Sequence, residues 1–146
     1  MTQPENLLPL EVLRCASLRG QEHAWPIEWI PDVIEAARVA NLLNIGGQLQ
    51  FRLQDGATCE CYWVEVDTYK SVPSNLRWAD RVALSAEVAL KDFTTLRKTV
   101  DFLGEGRAHF SKYLAAHVAD GGSVEGAMCF VWYVGTEIGD KSAHAI

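Results

Sequence analysis

The sequence predicts an α+β fold: a small mixed or antiparallel sheet of three to four strands that includes a β-hairpin, with about four helices packed on it. Three observations carry this reading. Residues 48–67 read as a hairpin, residues 127–134 form an apolar run of strand length, and apolar side chains recur at three- and four-residue spacing in 31–43, 74–103 and 107–119. At 146 residues, with 49% hydrophobic and 22% charged side chains, the chain matches a single globular domain over 1–146. A chain of this length builds a core without a metal or disulfide staple.

Residues 1–24 carry no decisive pattern. Leu7, Leu8, Leu10, Val12 and Leu13 fit a strand or a short helix, with Gly20 as its stop. Trp25 to Pro31 follows, and Pro26 and Pro31 oppose a regular helix there. From Pro31 a helix is expected, because proline suits the first helical position and Asp32 and Glu35 favour the positive end of the dipole. Ile34, Ala37, Ala40 or Asn41, and Leu42 give it one apolar stripe, and Gly46-Gly47 reads as its terminator.

Gln48 to Leu53 alternates strictly, Asp55-Gly56 supplies turn residues, and Thr58 to Asp67 returns as a strand rich in Val, Tyr and Trp. Pairing Leu53 with Thr58 groups Leu49, Phe51 and Leu53 with Glu60, Tyr62, Val64 and Val66. The opposite face then holds Gln48, Gln50, Arg52, Cys59, Cys61, Trp63, Glu65 and Asp67. A bulge would exchange the faces of one strand.

Beyond Ser74 or Asn75 as a cap, Trp78, Val82, Ser85, Ala89 and Phe93 form a helical stripe to about residue 92, with Arg77, Arg81, Glu87 and Lys91 in water. Thr94-Thr95 reads as a break before a shorter helix through Leu103, and Gly104-Glu105-Gly106 as a hinge. A further helix over 107–119 turns Phe110, Leu114 and Val118 inward and closes at Gly121-Gly122. Ala127 to Val134 is apolar on both faces and therefore central in the sheet, and 136–146 reads as a loose tail.

The function classes narrow by exclusion. With 19 acidic against 13 basic side chains and a formal charge of -6, a nucleic-acid binder is disfavoured, since phosphate affinity needs concentrated Lys and Arg. No apolar run is long enough to span a membrane and the start lacks a leader, so a cytoplasmic location with Cys15, Cys59, Cys61 and Cys129 as reduced thiols is expected. No metal site is expected, because no His lies within four residues of any Cys, and Cys59-x-Cys61 is a single same-face pair. His109 and His117 lie about 80° apart on a helical wheel. Glu105 and His109 have the i, i+4 spacing of neighbours, but the two glycines oppose a helix there. No phosphate loop, nucleophile elbow or other catalytic signature is present, so neither a cofactor nor a catalytic residue is assigned.

What remains is a surface. Trp63, Glu65 and Asp67, beside Gln50 and Arg52, fit a face on which an aromatic anchor is ringed by polar groups. The plainer alternative has Trp63 under a helix and the acids where the strand leaves the core. The acidity is uneven: 73–120 holds seven bases against six acids, while 1–47 holds three against six and 48–72 two against four. Acidic surface steers basic partners. The expectation is a non-catalytic binding protein that neutralises a basic protein, as a bacterial immunity or antitoxin-type inhibitor would. The second reading is a small-molecule binder or enzyme with a pocket lined by His23, Trp25 and Trp29; the third is a homodimeric or larger assembly subunit.

Overall fold

The computed structural model describes residues 3–139. Its sheet has five strands, not three or four: β1 Ser17–Arg19, β2 Glu22–Trp25, β3 Leu43–Arg52, β4 Thr58–Asp67 and β5 Met128–Gly135. They stand in the order β1-β2-β5-β3-β4, with every neighbouring pair antiparallel. The helical segments are α1 Leu10–Leu13, α2 Ile30–Val39, α3 Trp78–Thr99, α4 Phe102–His109, α5 Ser111–Ala119 and α6 Val124–Ala127. Two of these are single turns; the four longer ones are α2 to α5, but α3 spans the expected break at Thr94-Thr95 and α4 covers the expected hinge.

The hairpin and the central strand lie where the periodicity places them. β5 sits third of five, and its alternation divides it between two layers. Phe130, Trp132 and Val134 join the main core with Trp25, Ile30, Val33, Leu49, Phe51 and Phe93 beneath α2 and α3. Cys129 and Val131 face the other way, with Ala24. Phe93 meets Phe130 edge to face at 5.2 Å, a geometry that adds to the burial of both rings.

Several expectations need correction, each for a physical reason. The α2 helix ends before the glycine pair: Asn41 takes a left-handed turn (φ 60) and the Leu42 N–H reaches the Ala37 carbonyl at 2.8 Å. Gly46-Gly47 instead lies inside β3, where neighbouring strands press close. Helix α3 runs through Thr94-Thr95 to Thr99 without a break, and Arg81 on it is buried, its guanidinium 5.4 Å from the Trp78 ring centroid.

The supposed hinge at 104–106 is helical. Asp101 caps α4 by accepting the Gly104 N–H at 3.1 Å, and Gly106 lets the helix close onto the Phe51 ring. The chain breaks at Phe110, so Leu114 and His117 face inward while Val118 is exposed. Gly121-Gly122 does close α5, with Gly121 at φ 98. Of the tail, Gly139 N–H bonds Thr136 Oγ1 at 3.1 Å, and residues 140–146 lie outside the described residues.

Candidate functional site

The β3–β4 register decides which side chains meet. Arg52, not Leu53, pairs with Thr58, because the turn takes in Leu53 to Ala57. Cys59 and Cys61 therefore join Leu49 and Phe51 in the core, and Glu60 joins Gln50 on the opposite face. A bulge between Gln48 and Leu49, carrying Tyr62 to Val64 on β4, then shifts the register again, so that Glu65 pairs with Gln48.

The predicted group is accordingly divided. Gln50 is 0% exposed and Arg52 8% exposed, so neither is a contact residue for a large partner. They belong to a polar network on the uncovered side of the sheet. Arg52 Nε donates to Gln50 Oε1 at 3.2 Å, Gln50 Nε2 donates to Glu22 Oε1 and Glu60 Oε1 at 3.4 and 3.3 Å, and the Tyr133 hydroxyl donates to Glu22 Oε2. Burial, aided by the bond to Glu22, raises the Tyr133 phenol to about 12.

Trp63, Glu65 and Asp67 are exposed on β4, the edge strand. Trp63 turns toward α4 and α5. Its Nε1 donates to Glu105 Oε2 at 3.0 Å, its ring centroid stands 4.5 Å from His109 and 6.4 Å from Phe110, and Tyr62 abuts it at 5.2 Å. Glu105 also pairs with His109 at 3.4 Å across one helical turn, the i, i+4 contact that the glycines had argued against. Tyr113 extends the group beyond Phe110. Tyr62, Trp63 and Tyr113 remain 71%, 41% and 59% exposed. The result is an aromatic surface held rigid by the helix beside it, with Glu65 and Asp67 along the same edge strand. Sequence reasoning missed His109, Phe110 and Tyr113, whose spacing reads only as an amphipathic helix.

The alternative pocket does not assemble. Trp25 is fully buried and donates to the Val12 carbonyl at 2.8 Å, tying α1 to β2. His23 stacks on it at 6.1 Å, and its buried Nδ1 has no hydrogen bond among the described residues. Burial holds the imidazole below its ordinary pKa, with Glu5 opposing and Arg52 adding to the shift. Trp29 packs at the core margin.

His117 has a structural post: its Nδ1 accepts the Gln54 N–H at 3.2 Å, and its Nε2 lies 3.1 Å from Ser123 O. Among the described residues no group of three His, Cys, Asp or Glu side chains is placed to hold a metal, and no helix is long and apolar enough to cross a membrane.

The thiols are free, and all but Cys15 are buried. Burial pushes Cys61 and Cys129 from 9.0 up to about 11, which makes both poor nucleophiles near neutrality. The folded state thus holds these protons more tightly than the unfolded chain. The stability they lend is complete below pH 9.0 and is lost as pH rises through about 11. Unfolding free energies from urea titrations should fall across that window, and Cys129→Ala should reduce the fall by up to about 3 kcal/mol. An unchanged slope in that variant would remove Cys129 from the account.

The fold and its surfaces define an α+β domain with a sheet covered by helices on one face and an aromatic, acid-flanked edge. No family model, curated protein or solved structure matches the chain.

Proposed function

We propose that this chain is a non-catalytic binding domain that docks a basic protein partner along edge strand β4, in the manner of an immunity or antitoxin-type inhibitor. The observation that carries the reading is the exposed cluster of Tyr62, Trp63 and Tyr113, fixed by Glu105, His109 and Phe110 and lying along the strand that bears Glu65 and Asp67. Aromatic side chains already immobilised lose little freedom on binding, so their burial converts well into affinity. The bulge at Tyr62–Val64 interrupts the edge, which disfavours strand addition by another chain and leaves side-chain docking as the mode. The net charge of -6 and the exposed carboxylates favour a basic surface opposite.

Site-specific photocrosslinking tests this in the source cell. A benzophenone amino acid at Tyr62 should capture one basic polypeptide, while the same group at Glu87, exposed on α3, should not. With that partner purified, Glu65→Lys combined with Asp67→Lys should weaken the complex by at least about tenfold, because rim charges act through steering and like-charge repulsion. Equal labelling from both positions, or capture only of a second copy of this chain, would overturn the proposal, the latter in favour of an assembly subunit.

A further inference from the structure

At the end of the sheet where β5 begins, a cavity of about 300 Å3 opens between the β1–β2 hairpin, the end of β3 and α6. Among the described residues, its charged lining is Arg19 and Arg52, and Ser17, Ala16, Ala24 and Met128 contribute to the rest of the wall. The two guanidinium groups hold the hairpins together. Arg19 Nη1 donates to Ala57 O at 2.7 Å and Thr58 Oγ1 at 3.2 Å, and its Nη2 to Leu53 O at 2.6 Å. Arg52 Nη1 donates to Ser17 O at 2.8 Å and Ser17 Oγ at 2.9 Å, its Nη2 to Glu22 O at 3.0 Å, and its Nε to Gln50.

Every one of these acceptors is a neutral oxygen. Among the described residues neither arginine makes a salt bridge. Two like charges thus converge on one cavity in a protein of net charge -6, and Arg52 is more than nine-tenths buried. A guanidinium has five N–H donors. Three are used on Arg19 and four on Arg52, which leaves two and one. The Ser17 hydroxyl accepts from Arg52 and keeps its own proton for a further acceptor.

We propose that this cavity binds a small oxyanion, a phosphate or carboxylate group bearing a short apolar substituent. Arg19 and Arg52 supply the charge, Ser17 and the spare guanidinium protons supply the donors, and Ala16, Ala24 and Met128 receive the substituent. A bound anion offsets the repulsion between the two charges, which the Glu22 carboxylate, beyond salt-bridge distance, offsets only in part, and burial makes that repulsion costly. The site lies apart from the aromatic edge, so it stands or falls independently of the docking proposal.

Inorganic phosphate is the first probe, titrated into the isotope-labelled full chain to about 20 mM against sodium chloride of equal ionic strength. The backbone amide signals of Ser17, Arg19 and Cys129 should shift together and saturate. Thermal midpoints should rise by roughly 3–8 °C with phosphate at about twenty times its Kd, and not with chloride. Butyrate and methyl phosphate then rank the two head groups, and saturation by either supports the site.

Ala16→Glu places a carboxylate in the cavity wall and should weaken phosphate binding at least about tenfold by occupying the arginines. Amide shifts that stay linear and match those of chloride overturn the proposal, as does full phosphate affinity in Ala16→Glu. If that variant does not fold, the wild-type titration decides alone.

Discussion

Gly47→Ala is expected to remove a large share of the stability of the fold, whereas Gly56→Ala is expected to leave a folded protein about 1 kcal/mol less stable. The two glycines separate two reasons for the residue. At Gly56 the chain has a positive φ of 94, and an added Cβ would meet nothing within 4 Å, so the cost is backbone strain alone. At Gly47 no unusual φ is involved. A Cβ there would fall 1.6 Å from the Val131 carbonyl oxygen, a backbone atom of the central strand that cannot swing aside.

Relieving that clash means separating β3 from β5 in the middle of the sheet, where Gly47 pairs with Trp132. Val131 and Trp132 are fully buried, so separation loosens both layers. The expected loss is roughly 4 kcal/mol or more, a large share of the stability of an ordinary domain. Circular dichroism and urea titration of the two variants check it; a cooperative Gly47→Ala transition near the wild-type midpoint would show that the strands have room to spread.

The same glycines explain part of what was illegible in the sequence. After an amphipathic helix, Gly-Gly reads as a stop, and only the packing reveals that β3 needs both positions bare, with Gly46 pressed against Val66 O on the other side. Gly104 and Gly106 misled in the same way: a Cβ at Gly106 would strike the Phe51 ring, distant in sequence, and one at Gly104 the capping carboxylate of Asp101. By contrast, the β3–β4 hairpin and the central β5 were legible, since strict alternation and an unbroken apolar run leave few other solutions.

The β1–β2 hairpin was not. Its strands are three and four residues long, and the side chains of Arg19 and Glu22 find their partners on β3, β4, β5 and the β3–β4 turn, all distant in sequence. For the candidate edge, residue type alone pointed to Trp63, Glu65 and Asp67, which share β4, but not to their neighbours on α4 and α5. The face assignment failed near the turn because a five-residue loop moved the register by one, and the bulge shifted it again further along.

Asn44→Leu is the second substitution with a large expected effect, about 3 kcal/mol, and the bond it removes can be isolated. Asn44 is fully buried at the start of β3, although a polar residue between apolar neighbours attracts no attention in the sequence. Its Nδ2 donates to Ile34 O on α2 at 3.1 Å, its Oδ1 accepts from Trp132 Nε1 at 2.9 Å, and its backbone N–H donates to Ser85 Oγ on α3 at 2.9 Å. Thr68 Oγ1 closes the group by donating to the Asn44 carbonyl at 2.6 Å. One residue therefore fixes the position of two helices and two strands.

Leucine has nearly the same shape but leaves the Trp132 N–H orphaned in a site with 0% exposure, and a buried donor without an acceptor costs about 1–3 kcal/mol by itself. Trp132→Phe removes that donor. Combined with Asn44→Leu it should cost less than the two single changes together, by about 1–2 kcal/mol, because neither partner is then left unpaired. Urea unfolding of the two single variants and the pair measures the difference. Additivity within about 0.5 kcal/mol would mean that the cavity left by the indole, not the hydrogen bond, sets the cost. A clear coupling would mean that β3 is pinned on β5 at this end by Asn44, as Arg52 and Arg19 pin its other end to the first hairpin.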